Sequence, residues 1–237
     1  MRSIAVCTLM LTMLCSAAVA PEATGMQGVV QQLMSPIVRV RTPQSAGSGT
    51  ILFGQFVLTN YHVVARAITV DGTFQRWDSV CVELFSYGPR GHVDVRGVDA
   101  HVVACDPDQD LALLKLHCGD LNSAELLPEG TELELLKQVW VVGCALGDDP
   151  ICTCGHIMDL DVQHDGKSYL LISAQVIYGN SGGAMFVQIG KYTYLAGVPS
   201  RVRLMGNGQA LPYMAYAIPP ERIWEFLVQC GVVAYRD

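Results

Sequence analysis

A chain of 237 residues that is 51% apolar can bury a substantial core, which excludes it from the intrinsically disordered class. Its 22 acidic side chains against 15 Lys and Arg give a formal net charge of −7. With no Lys/Arg cluster among them, the charge balance argues against a nucleic-acid surface and gives no sign of an anionic-lipid surface, because both need concentrated positive charge.

The first twenty residues, MRSIAVCTLMLTMLCSAAVA, place Arg2 before an apolar run from Ile4 to Leu14 and then small residues, the pattern of a secretory signal peptide. Export to a periplasm or out of the cell is the expectation. Ala18-Val19-Ala20 offers a cleavage site, but Pro21 would follow that cut, so cleavage after Ala18 competes with it. An uncleaved anchor is the alternative, and the run is near the lower length limit for spanning a bilayer. No second long apolar run is present, so stable membrane insertion after signal cleavage is not expected.

Residues 21–36 form an N-terminal segment in which Gln27 to Met34 suits a short helix. From Ile37 onward, short runs rich in Val, Ile, Leu, Thr and aromatic residues alternate with Gly, Pro, Asp and Asn, which predicts many short strands. Residues 37–118 supply VRVRT, TILF, FVLTN, SVCVELF, DAHVVAC and LALLKL, about six strands. The stretch 119–137, with Pro128, Gly130 and several acids, reads as a connector. Residues 138–219 supply six more: QVWVVGC, HIMDLDV, SYLLISA, GAMFVQI, YTYLAGV and MAYAI. In 220–237, Pro220 opens a helix with Ile223, Phe226 and Leu227 on one face and Gly231 as its stop, followed by a short tail.

Beyond Cys7 and Cys15 in the leader, seven cysteines remain: Cys81, Cys105, Cys118, Cys144, Cys152, Cys154 and Cys230. In an oxidising compartment they permit up to three disulfides and one thiol, with connectivity open. Cys144, Cys152, Cys154 and His156 have the residue types of a zinc site without its paired spacing, so a bridge closing a loop is the competing role. No metal is expected.

Three segments carry chemistry. GNSGG (179–183) places Ser181 in a turn whose neighbouring glycines let backbone N–H groups of Gly179 and Ser181 aim at an oxyanion. His62 ends the run FVLTNYH, and a histidine side chain changes charge near neutrality, as a proton-accepting base must. Asp110 immediately precedes the apolar run LALLKL, whereas Asp106 and Asp108 read as turn residues. Hydroxyl, imidazole and carboxylate each have a task the others cannot perform, since the serine is a weak nucleophile until the imidazole takes its proton and the anion orients the ring.

The segments GSGTIL (47–52), LTNYHVV (58–64), CDPDQDLALLKL (105–116), GNSGGAMF (179–186) and AYAIPPERI (215–223) resemble the trypsin-like peptidases, closest to the HtrA-type branch. The resemblance implies an all-β fold of two six-stranded antiparallel β-barrels with the active site between them and a short C-terminal helix. It also implies an exported serine endopeptidase acting on polypeptides without a cofactor, with catalytic His62, Asp110 and Ser181 and an oxyanion hole at Gly179 and Ser181. Family geometry puts a specificity pocket between Ser173–Tyr178 and the strand at Val198, Pro199 and Ser200. Gln175 stands there where trypsin-type enzymes have an acid, so a small or medium apolar side chain is the expected preference.

The chain departs from the pattern at several positions. Val63 follows the histidine where digestive relatives have cysteine, and Asn180 replaces an aspartate that pairs with a new N-terminus, so that mode of activation is not expected. Tyr178 and Ala184 replace common HtrA-type prolines, and regulation through the PDZ domain usual in that branch is not expected. The oligomeric state stays open. A catalytically inactive, peptide-binding member of the same fold is the alternative reading, and an esterase is a third.

Overall fold

The computed structural model describes residues 28, 30–71, 74–77, 80–88 and 93–233. The leader expected over residues 1–20, the start of the helix expected at Gln27 and the last four residues lie outside the described residues. A single helical turn, Val30–Met34, leads into the strands.

The first sheet contains β1 (Ile37–Arg41), β2 (Ala46–Leu52) and β3 (Phe56–Thr59), then a short helix, Tyr61–Val64. A separate hairpin follows, made of β4 (Ile68–Asp71) and β5 (Phe74–Trp77). It is succeeded by β6 (Val80–Tyr87), β7 (Val93–Asp106) and β8 (Leu111–Leu116). The order β1-β2-β3-β8-β7-β6 closes into a six-stranded antiparallel barrel. The β4–β5 hairpin has no counterpart in the expected strands.

In the second half, β9 (Glu125–Leu126) precedes β10 (Gln138–Gly143), β11 (Ile151–His164) and β12 (Lys167–Ile172). Then come β13 (Ala184–Ile189), β14 (Tyr192–Leu204) and β15 (Ala210–Ile218). They form one seven-stranded sheet, β13-β10-β11-β12-β15-β14-β9, in which β13 also pairs with β14. Seven strands rather than six result from the connector, because β9 adds in parallel beside Tyr194 and Leu195 of β14. A two-residue strand is too short to leave a periodic pattern in sequence.

The near-continuous apolar runs follow from burial on both faces. Along β8, Ala112, Leu114 and Leu116 fill the interior of the first barrel, while Leu111 and Leu113 face the second sheet. Strand β13 mirrors this, with Met185 and Val187 inside its own sheet and Ala184 and Phe186 turned to the shared layer. Three apolar cores therefore stack in sequence, and the middle one presses the two sheets together. The candidate site lies along that seam.

The C-terminal helix, Pro220–Gln229, locks the seam from behind. Pro219 is extended at its N-cap and Pro220 occupies the first turn, where a missing N–H costs nothing. Its Arg222 is buried. The guanidinium donates to the Gln109 side chain at 2.5 Å and to the carbonyls of Gln109 at 2.9 Å and Ser168 at 3.0 Å. It also lies 4.8 Å from the centre of the Tyr169 ring, a cation–π contact. One side chain thus ties the loop before Asp110 to the second sheet.

Candidate active site

His62 lies in the short helix that begins as soon as β3 ends, and Asp110 closes the turn between β7 and β8. Asp106 shapes that turn, since its Oδ1 accepts the N–H groups of Asp108 at 2.9 Å and Gln109 at 2.9 Å. Asp110 is held at φ 55, a left-handed conformation uncommon outside glycine. Asn60 secures it by donating to the Asp110 carbonyl at 2.9 Å.

The Asp110 carboxylate is buried and fully engaged. His62 Nδ1 lies 3.0 Å from each of its oxygens, the His62 backbone N–H donates to Oδ1 at 3.1 Å, and the Ser200 hydroxyl donates to Oδ2 at 2.6 Å. Burial alone would raise this carboxyl. The His62 hydrogen bond and charge, the Ser200 hydroxyl and the His62 backbone N–H together outweigh burial and hold it below the ordinary aspartate value. The ring is thereby fixed with Nδ1 toward the carboxylate and Nε2 pointing away.

Ser181 comes from the second half. Its carbonyl accepts the Ser48 N–H at 2.8 Å, so the turn 179–183 is fastened to the first barrel. Its hydroxyl donates to the Ser200 carbonyl at 3.3 Å, and no hydrogen bond joins it to His62. Ser200 therefore touches both partners, through its hydroxyl to Asp110 and its carbonyl to Ser181. The β14–β15 register shifts between Pro199 and Arg201, and such a bulge turns one residue out of the ladder. That irregularity releases Ser200 to face the site.

The turn has a defined backbone direction. The Tyr178 carbonyl accepts the Leu146 N–H at 2.6 Å, so the trans-planar peptide sends the Gly179 N–H the opposite way. The Asn180 carbonyl accepts the Gly183 N–H at 3.0 Å, which directs the Ser181 N–H away by the same logic. Among the described residues neither the Gly179 nor the Ser181 N–H has an acceptor. Gly179 has φ 97, and a Cβ there would stand 2.4 Å from the Cys144 carbonyl oxygen. Ser48 braces this turn as well, donating to the Gly179 carbonyl at 2.6 Å and accepting the Cys144 N–H at 2.7 Å.

Gly182 is equally constrained. At φ 83, a Cβ would lie 2.3 Å from both the Ser48 carbonyl oxygen and Thr59 Oγ1. Gly182→Ala is expected to destabilise the protein by about 3 kcal/mol through overpacking and left-handed strain. The midpoint of a urea unfolding curve measures this.

Sequence reasoning placed Gln175, Val198, Pro199 and Ser200 around a specificity pocket. Gln175 is exposed, and its carbonyl accepts the Thr153 hydroxyl at 2.8 Å. Val198 is buried in the shared core, and the Pro199 carbonyl accepts the Gly182 N–H at 3.1 Å. A cavity of about 490 Å³ opens between Tyr61, His62, Asp110, Tyr169 and Ser200, with Asp108, Lys167, Asp165 and Arg201 at its margin. Of the four expected residues, Ser200 alone borders it. Lys167 pairs with Asp108 at 2.7 Å, bridging the two halves at one margin of the cavity, and Arg201 pairs with Asp165 at 3.1 Å within the second half. Sequence carried no signal for Ser48, Asn60 or Ser200 as supports, because each acts through neighbours distant in the chain.

A closed six-stranded barrel and a second sheet, antiparallel but for its short edge strand β9, meeting at a histidine, an aspartate and a serine define a β-protein of the chymotrypsin architecture. The model of the trypsin-like peptidase domain matches residues 47–193, and this chain belongs to that family. Similar proteins include a probable periplasmic serine endoprotease DegP-like of Ectopseudomonas mendocina, 30% identical over 82% of this chain and 37% of the relative. Protease Do-like 5, chloroplastic, of Arabidopsis thaliana is 28% identical over 76% of this chain and 56% of its own length. The chain thus spans about a third of the DegP-like relatives. Among solved structures, the HtrA-type protease AlgWS227A with tripeptide superposes with a TM-score of 0.68 at 23% identity, covering 89% of this chain and 64% of the other. Deg5 superposes with a TM-score of 0.63 at 23% identity, covering 84% and 90%. These relatives are of the HtrA type, and no described helix is long and apolar enough to cross a membrane.

Proposed function

We propose that the chain is an exported serine endopeptidase that hydrolyses polypeptides through an acyl-enzyme on Ser181, with residues 37–118 and 138–219 acting as two barrels, the second completed by the β13–β14 pairing. The observation that carries this reading is the Asp110 carboxylate, buried and gripped by His62 through ring and backbone. It stabilises the positive ring that forms when Nε2 takes the serine proton. The hydroxyl turns from the Ser200 carbonyl toward Nε2 by rotation about its Cα–Cβ bond, a change between staggered rotamers. The Ser181 oxygen then bonds to the scissile carbonyl carbon, and the resulting oxyanion takes the N–H groups of Gly179 and Ser181. His62 passes its proton to the leaving amine, after which water repeats the sequence and frees the serine. Nothing in these steps calls for a cofactor.

The Ser181 hydroxyl bonded to Ser200 rather than His62 favours a second reading, a peptide-binding module that does not cleave. A fluorophosphonate probe separates the two. Wild type is expected to be labelled on Ser181 and His62→Ala to remain unlabelled; peptide binding without labelling of wild type rejects the enzyme. Gln175, Val198, Pro199 and Ser200 remain the proposed substrate-binding residues, and cleavage-site profiling on a peptide library tests the preference for small or medium apolar side chains.

A further inference from the structure

Strand β11 carries a row of side chains that the mechanism does not use. Alternate residues of a strand share a face, so Cys152, Cys154 and His156 stand side by side, all exposed. Neighbours in the row are about 6.7 Å apart and its ends about 13 Å apart. Both cysteines are free thiols. Gln138 Nε2 approaches Cys154 Sγ at 3.1 Å and steadies it.

The dimensions decide what the row can hold. Metal bonds of about 2.3 Å to sulfur and 2.0 Å to nitrogen cannot gather both ends on one ion, and Cys144 is buried in the core. The four-ligand zinc arrangement is therefore not assembled, and among the described residues no three His, Cys, Asp or Glu converge. A disulfide between Cys152 and Cys154 would need side chains that point at one another at the upper limit of Cα spacing, whereas these project in parallel. Two sulfurs on opposite sides of a single ion stand about 4.6 Å apart, a separation that side-chain rotation toward each other reaches.

We propose that Cys152 and Cys154 form a two-thiolate site for a soft monovalent cation of the copper(I) type. Thiolate pairs select such ions over harder ones. Each thiol releases one proton as its sulfur bonds to the ion, and no oxidation state changes. Between the two cysteines, Thr153 points to the opposite face and donates to the Gln175 carbonyl at 2.8 Å, so the site stands back to back with the segment leading to Gly179.

The test uses the full chain, reduced and handled without oxygen, against copper(I) held by the coloured chelator bicinchoninate. Wild type is expected to withdraw one equivalent more than either Cys152→Ser or Cys154→Ser, while Cys81→Ser withdraws as much as wild type. Circular dichroism confirms that the variants fold. A hundred-fold excess of zinc(II) should leave that equivalent bound. Equal withdrawal by wild type and both serine variants, displacement by zinc(II), or a Cys152–Cys154 disulfide found by peptide mapping before reduction would each overturn the site.

Discussion

Ser181→Ala is expected to lower peptide turnover by about a million-fold, roughly 8 kcal/mol of transition-state stabilisation, if hydroxyl, imidazole and carboxylate act as a unit. The loss should fall on kcat, because the methyl group leaves the cleft and its N–H donors in place. The fold should survive, since the turn is held by main-chain contacts to Ser48 and by the glycines, not by the hydroxyl, whose one contact is a 3.3 Å bond to Ser200. Single-turnover kinetics and a thermal melt on the same preparation separate these quantities. Near-normal cleavage by a folded Ser181→Ala variant would reject the assignment.

Asp110→Asn should reduce kcat by about ten thousand-fold while leaving most of the geometry intact. The carboxylate now accepts from His62 twice and from Ser200 once. An amide offers one acceptor oxygen, and its NH₂ facing Nδ1 would favour the tautomer in which Nε2 carries hydrogen and cannot take the serine proton. The same substitution alters acid stability. Because the folded carboxyl is held below its ordinary value, the unfolded chain binds the proton more readily, so this group stabilises the fold above the unfolded aspartate value of about 3.9 and loses that contribution as pH falls through the folded value. Thermal melts from pH 7 to pH 3 should therefore show the wild-type advantage over Asp110→Asn shrinking at the acid end. A constant difference across that range would show that Asp110 is not the titrating group.

Much of this was legible in the chain. Apolar runs such as LALLKL, QVWVVGC and GAMFVQI predicted strands because burial on both faces leaves few polar positions to interrupt them, and each is a strand with nearly the expected ends. Pro220 and Gly231 bracketed the final helix for reasons local to the backbone. The β4–β5 hairpin and β9 escaped, one lacking strong alternation and the other being two residues long. Segments 151–155 and 199–204 were undercounted because β11 and β14 run on past the stretches read as apolar, through residues of mixed burial.

The sequence by itself singled out the three side chains proposed to carry the chemistry and the glycine-rich turn that holds one of them, because residue type and local conformational freedom are properties of a short stretch of chain. Only the tertiary structure decided how they are supported: Ser200 bulged out of β14 to span Asp110 and Ser181, Ser48 clamped beneath the turn, and the cavity opening beside Tyr61 and Tyr169 away from Gln175. Those are contacts between residues dozens of positions apart, and they come into being when three stacked cores bring two sheets to the same seam.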